Sequence, residues 1–477
     1  MTGARARRST LVASILGSSL AFLDTMVVVV ALPRIAGDLG LGLAAEQWVL
    51  LAYSLPLVAM YLVAGAIGDR HGHRRTFVRG VVGFAAASAL AGAAPTTAAL
   101  ITARVLQGTA AAFVTTNSLA LLRAEYGDEA GRAIGLWTSF TSAATLVAPP
   151  LGGAIAQWTS WRWIFFLNLP LAVACVAFAS RGGPGAAPVR QDGVDYVGAV
   201  AVAVGLGSAT FALVEGAVHG LASVWWSVVL AAAGLIGFWL AERRAPAPLL
   251  PLAVFRERNF AGASVETFFV YAAIAGIFTY FTIYLQFLGF SPVAAGIAEL
   301  PVDILLVLLG ARMGALADRY GPRAFLTTAP LLIAGAASSF ALLQDRSDFW
   351  TAGIAGLALL SVGLAVLVAP ITATVLSSVP ADRAGTASGV NSTISRLGGL
   401  FAVALLGVVA TIVYASEADD HGQPFFVGQT NPALREASVH AFRAVMIAVA
   451  GLALAAAAVG FVWISNQARS PAIAEPG

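Results

Sequence analysis

At 477 residues, 59% hydrophobic and 11% charged, the chain is too apolar for a soluble domain, which carries roughly 25% charged residues. Its surroundings are therefore expected to be a lipid bilayer. The net charge of +3 gives no ground for nucleic-acid binding, and the single cysteine, Cys175, excludes an intrachain disulfide.

Arg5, Arg7 and Arg8 precede an apolar run over 11–32. That run is too long for the core of a cleavable signal, so it reads as a first, retained span. Further apolar runs fall at 47–68, 76–94, 98–122, 133–156, 161–180, 195–215, 222–241, 260–288, 293–317, 323–343, 350–378, 384–414 and 440–465. At about 20 residues per span, they predict an all-α integral membrane protein of fourteen spans. All 27 basic residues are arginine, and their placement sets the orientation. With the N-terminus inside, nineteen fall in cytoplasmic segments and five outside, so both termini are expected in the cytoplasm.

Between the second and third spans, residues 65–75 read G-A-I-G-D-R-H-G-H-R-R. A second copy, G-A-L-A-D-R-Y-G-P-R, occupies 314–323, 249 positions later. One such hinge per half divides the chain into an N-terminal six-span bundle (1–181), linkers with two inserted spans (182–258) and a C-terminal six-span bundle (259–477). The linkers at 182–188 and 245–251 are rich in Gly, Pro and Ala, as suits an inserted hairpin. Gly65, Asp69, Arg70, Gly72 and Arg74 in the first hinge, and Gly314, Asp318 and Arg319 in the second, form the expected cytoplasmic gate. Asp69 at a helix end, with Arg70 and Arg74, reads as a charge relay; arginines that merely set topology are the plainer reading. The longest outer loop, 415–439, carries Glu417, Asp419, Asp420, His421 and Glu436. It reads as a solvated loop or as a lid.

Ionisable groups at membrane depth are costly and mark function. At about 1.5 Å per residue, Asp24 lies roughly 20 Å from the inner surface and Arg104 roughly 9 Å from the outer one. In a hydrocarbon core about 30 Å thick the two share a level and are expected to pair. Glu299 and Asp303 are spaced i, i+4 and so should share a helix face, where two close carboxylates suit proton carriage. Asp303 and Arg396 reach similar depths and are expected to pair. Glu266, followed on its helix by Tyr271, Tyr280, Phe281 and Tyr284, suits a bulky, apolar or cationic compound; an ordinary packing stripe is the competing reading. In span 5, Gly135, Ala144, Ala148, Gly152 and Gly153 let helices approach closely, and Pro149-Pro150 bend the backbone.

These residues resemble the fourteen-span drug:proton antiporter branch of the major facilitator superfamily. The hinge at 65–75 is similar to that family's signature loop, with His73 where a basic residue usually stands. Arg104, Gln107 and Gly108 match its R-x-x-Q-G signature. Gly135, Ala144, Ala148, Pro149, Gly152 and Gly153 resemble the antiporter signature, with two glycines replaced by alanine. The stretches W-R-W-I-F-F-L-N-L-P, from Trp161 through Asn168 to Pro170, and Leu23-Asp24 through Ala31-Leu32-Pro33 also resemble this branch. Met26 and Val29 stand where the family usually has Thr and Asn.

The resemblance implies a major facilitator fold of two six-helix bundles plus two extra central helices. It also implies alternating access, with export of small apolar or amphipathic compounds in exchange for protons. An uptake symporter of the same fold is the alternative. No nucleotide-binding P-loop, metal-ligand cluster or nucleophile elbow is visible, and the five histidines fall in loops or at span ends, so neither an enzyme nor a cofactor is expected. The expected partners are a small-molecule substrate, protons and the bilayer, with the chain working as a monomer.

Overall fold

The computed structural model describes residues 2–182, 196–244, 252–379, 384–417 and 432–466. The first stretch runs through α1 (Thr2–Leu39), α2 (Leu43–His71), α3 (His73–Gly92), α4 (Thr97–Tyr126), α5 (Ala130–Trp158), the short α6 (Arg162–Phe166) and α7 (Asn168–Arg181). There follow α8 (Tyr196–His219), α9 (Trp225–Arg244), α10 (Arg258–Phe287), the short α11 (Pro292–Ala298) and α12 (Leu300–Tyr320). The chain continues through α13 (Pro322–Phe340), α14 (Ala352–Ser377), α15 (Ala384–Glu417) and α16 (Pro432–Trp463). No strand occurs among the described residues, as expected where every backbone group must bond within its own segment.

Each predicted apolar run falls on helix. By length and composition, however, ten helices among the described residues can cross a membrane, and an eleventh counts if the bent pair Ala44–Tyr61 and Val63–His71 is one span. The predicted runs 161–180 and 293–317 are each split in two, at Leu167 and at Glu299. The second break has a clear cause. Pro301, the second residue of α12, has no N–H and so cannot donate back to the carbonyl of Ile297 in α11. Glu299 therefore caps α11, while Asp303 lies in the first turn of α12.

The chain forms two compact units. One comprises Met1–Leu249, Thr279–Glu299 and Val403–Phe442; the other comprises Leu250–Phe278, Leu300–Ala402 and Arg443–Gly477. In the first unit, α1, α2, α3, α4 and α7 bury Tyr53, Phe77, Phe84, Val114 and Cys175 in a common core. The inserted pair α8 and α9 crosses where Gly234 meets Gly205, a Cβ on the former falling 2.5 Å from the latter's nitrogen. This pair docks on α2 through Trp48, whose indole Nε1 donates to Glu215 (2.8 Å) and whose ring meets Phe211. In the second unit, glycines again permit close contact: Gly356 lies under Phe340 and Gly363 under Ile333.

The small residues of α5 are used unequally. Gly152 faces Val27 of α1, where a Cβ would fall 2.7 Å from a Val27 methyl, and Gly153 faces the backbone of Pro292 and Val293. Across the same contact, a Cβ on Gly296 of α11 would come within 2.5 Å of Pro149. Among the described residues, nothing lies within 4 Å of a Cβ placed on Gly135, in contrast to Gly152 and Gly153. Gly153→Val is accordingly expected to cost about 1–3 kcal/mol through overpacking and to lower the melting temperature of the purified protein. Gly135→Ala should leave that temperature unchanged.

Candidate functional site

Asp24 of α1 is 2% exposed and Arg104 of α4 is 1% exposed, and they form the ion pair expected from their depths. Three donors converge on the Asp24 carboxylate: Arg104 Nη1, Gln107 Nε2 (2.6 Å) and Asn168 Nδ2 (3.0 Å). The arginine is satisfied in turn. Its Nε donates to the Val49 carbonyl (3.2 Å), its Nη1 also donates to Gln107 Oε1 (2.8 Å), and its guanidinium lies 4.3 Å from the centre of the Tyr53 ring. The amide nitrogens of Gln107 and Asn168 further meet the Ser88 hydroxyl of α3 at 2.8 and 3.3 Å. Five helices thus share one polar cluster. Buried polar groups of this kind are tolerated because nearly every donor finds an acceptor.

The motif spanning Trp161 to Pro170 reaches α1 twice. Asn168 bonds Asp24, while Trp161 Nε1 (2.9 Å) and Arg162 Nη1 (2.7 Å) both donate to Asp38 at the far end of the same helix. Gly108 packs on the Tyr53 backbone, which leaves no room for a side chain in the R-x-x-Q-G turn.

The two hinges share a backbone device. Gly72 and Gly321 take φ of +91° and +88°, a region that favours glycine, and each is the only residue between two helices. Their side-chain chemistry differs. Asp69 pairs with His73 (Nε2 to Oδ1, 3.0 Å), not with Arg70 or Arg74 as expected. His73 Nδ1 lies 2.8 Å from Asn117 Oδ1, and Asn117 spends its own amide hydrogens on the carbonyls of Ala64 and Phe113. Both ring nitrogens therefore face acceptors, the arrangement of a doubly protonated imidazolium. In the second hinge, Asp318 makes no ion pair among the described residues, and Asn466 Oδ1 instead accepts from the Arg323 backbone (3.1 Å). Gly65 and Gly314 occupy matching places, facing Thr116 and Ala369.

With this geometry in place, comparison with known proteins is decisive for the family. The sequence profile of the Major Facilitator Superfamily matches residues 14–403. The chain belongs to the Major Facilitator Superfamily. It is 35% identical over 84% of its length to the "Tetracenomycin C resistance and export protein" of Streptomyces glaucescens, covering 75% of that protein. It is 32% identical over 87% of its length to the "Multidrug resistance protein Stp" of Mycobacterium tuberculosis, covering 78% of it. Among solved structures, an auto-inhibited POT family peptide transporter aligns with a TM-score of 0.68 at 16% identity, over 95% of this chain and 96% of that one. That likeness is one of fold. The chain is thus a multi-pass membrane protein.

The other expected residues of this superfamily member divide between the two compact units. Glu266 is fully buried, and both its carboxyl oxygens lack a partner among the described residues; with Tyr271 it belongs to the second unit. Tyr280, Phe281 and Tyr284, on the same helix, belong to the first unit. Tyr284 is committed to packing, its ring stacked on Phe442 with centroids 3.7 Å apart. Glu299 accepts from the Thr282 hydroxyl. No bond joins Asp303 to Arg396, so that expected pair does not form. Most of loop 415–439 lies outside the described residues.

Gln107 and Asn168 stand in sequence motifs that give them no role of their own, and Ser88 and Tyr53 stand in none. Their signal was polarity within apolar runs.

His73 sets a pH dependence. Burial alone would lower its pKa, but the bonds to Asp69 and Asn117 and the charge of Asp69 outweigh it and raise the pKa above the ordinary 6.5. A raised histidine pKa contributes stability that is complete below about 6.5 and is lost as pH climbs through the folded-state value. Melting temperature is therefore expected to fall from about pH 6.5 to pH 9 more steeply in the native chain than in His73→Arg. Parallel curves would contradict the pairing.

Proposed function

We propose that this chain is a proton-coupled antiporter that exports small apolar or amphipathic compounds, such as drugs, antiseptics or antibiotics, by alternating access. It does so as a fourteen-span protein with both termini in the cytoplasm. The resistance and export proteins it resembles support the substrate class. The observation that carries proton coupling is the buried Asp24 carboxylate, held by Arg104, Gln107 and Asn168. A carboxylate whose countercharge is a neighbouring guanidinium can exchange that partner for a proton, and the freed arginine then shifts the helices that carry it.

The surroundings of Asp24 give such a shift somewhere to go. Val27 lies one turn further along α1 and rests on Gly152, while Pro149 and Gly153 of the same α5 touch α11. Release of Asp24 would therefore be felt by the antiporter helix. We assign Asp303, Glu299 and Arg396 to proton transfer. Glu266 with Tyr271, and Tyr280 with Phe281 and Tyr284, are assigned to the substrate. The hinge residues Asp69, Arg70 and Arg74, with Asp318 and Arg319 in the second copy, serve as the cytoplasmic gate, His73 acting as the direct partner of Asp69.

The test is accumulation of a panel of dyes and antibiotics in an efflux-deficient bacterial host, with and without a protonophore. The native chain is expected to lower accumulation, and the protonophore to erase the effect. Asp24→Asn should abolish efflux while membrane insertion persists. The pair Asp24→Asn with Arg104→Gln removes both charges and guards against misfolding caused by an orphaned arginine. Full efflux by either variant, or proton-driven uptake, would overturn the proposal.

A further inference from the structure

The helix that follows the first hinge, α3, carries its charge on one side. Arg75, Arg79, Val82 and Ala86 are exposed, whereas Thr76, Phe77, Gly80, Val81, Phe84 and Ala87 are buried. Spacings of four, three and four residues keep the exposed set within one helical stripe. Arg79 lies inside the apolar run 76–94. At about 1.5 Å per residue, Val82 and Ala86 follow roughly 11 and 17 Å beyond Arg75. Neither arginine makes a hydrogen bond or ion pair among the described residues, and α3 holds no acid that could supply one. A guanidinium at this level of a span calls for an anion.

The second hinge supplies an internal comparison. The same shift of 249 positions places Ala324, Thr328 and Leu331 of α13 where α3 has Arg75, Arg79 and Val82. The exposed face is repeated. Ala324 and Thr328 are both exposed, and Leu331 is 46% exposed against 54% for Val82. Thr328 satisfies its hydroxyl within its own helix, donating to the Ala324 carbonyl (2.9 Å). Both copies keep the hinge arginines, Arg70 with Arg319 and Arg74 with Arg323. Those suffice to set topology. The fold therefore accepts this face without charge, and the two arginines on α3 are an addition to it.

We propose that the arginine-bearing face of α3 is a docking site for an anionic glycerophospholipid such as phosphatidylglycerol. The lipid phosphate lies between the Arg75 and Arg79 guanidiniums, and an acyl chain runs along Val82 and Ala86. Neighbouring guanidiniums offer the paired donors that a phosphodiester accepts. A phosphatidylcholine headgroup cancels its phosphate with an ammonium that the arginines repel, so net charge selects the lipid. The bound lipid braces α3 beside the turn at Gly72. In the orientation proposed above this is the cytoplasmic leaflet, but the binding itself depends on neither orientation nor transport.

The experiment is photolabelling of the full-length protein in phosphatidylcholine nanodiscs doped with phosphatidylglycerol that carries a diazirine on one acyl chain. Labelled peptides from α3 and α13 are quantified by mass spectrometry. Each is normalised to labelling by a phosphatidylcholine probe with the same chain. An arginine beside an anionic headgroup contributes roughly five-fold in affinity, so α3 is expected to be labelled roughly ten- to twenty-five-fold more than α13. Arg75→Gln with Arg79→Gln should bring α3 down to the level of α13, an unchanged melting temperature establishing that the variant is folded. Arg243→Gln with Arg244→Gln removes the same charge from a likewise exposed pair at the end of α9 and should leave the enrichment intact. Equal labelling of α3 and α13 in the native protein, enrichment that persists in the folded α3 variant, or its loss in the α9 variant would overturn the assignment. Should the α3 variant not fold, Arg79→Gln alone is expected to lower the enrichment roughly five-fold, and full enrichment there would overturn it equally. Loss of drug efflux in cells while α3 remains enriched would count against export alone.

Discussion

The helices of the first unit are fixed around a carboxylate and a guanidinium buried together away from water. Removing two charges from water costs several kcal/mol per ion in real proteins, and attraction between them offsets this only when the remaining donors and acceptors are met. Here they are met from all sides. Gln107 and Asn168 supply further donors to Asp24, and Ser88 accepts from both amides. Val49 and Tyr53 of α2 occupy the arginine. The cluster therefore constrains α1, α2, α3, α4 and α7 at once. Through Val27 its influence extends to Gly152 on α5, and through the Val30 carbonyl, which accepts from Gln286 (2.9 Å), to α10. A change of partner at Asp24 cannot remain local.

The repeated hinge shows how one backbone solution can carry two different electrostatic roles. Both copies turn on a glycine with positive φ, 249 residues apart, and both lie between helices that are otherwise apolar. The first places a histidine between an aspartate and an asparagine. The second replaces that histidine with Pro322 and uses Asn466 as a backbone cap. Only the first hinge has an ion pair whose strength depends on the protonation of a histidine.

Much of this could be read directly from the sequence, for physical reasons. The length and apolarity of the runs placed the helices, because a bilayer leaves the backbone few alternatives. Rise per residue was enough to pair Asp24 with Arg104, since both charges had to find a partner at that depth. Packing between helices was not readable. Nothing in the spacing of Gln107 and Asn168 says that both point at one carboxylate 83 and 144 positions away. The i, i+4 relation of Glu299 and Asp303 does not reveal the turn at Glu299 that divides α11 from α12. The same relation between Asp69 and His73 does hold, carried across the turn at Gly72.

The central claim is that release of substrate is exchanged for uptake of a proton. It is tested most directly by reconstituting the protein into liposomes that trap a pH-sensitive dye and adding a transported dye or antibiotic on one side. The account predicts proton movement opposite in direction to the substrate, dependent on its concentration and absent in the Asp24→Asn variant. Substrate movement with no accompanying proton flux, or with protons travelling in the same direction, would contradict it.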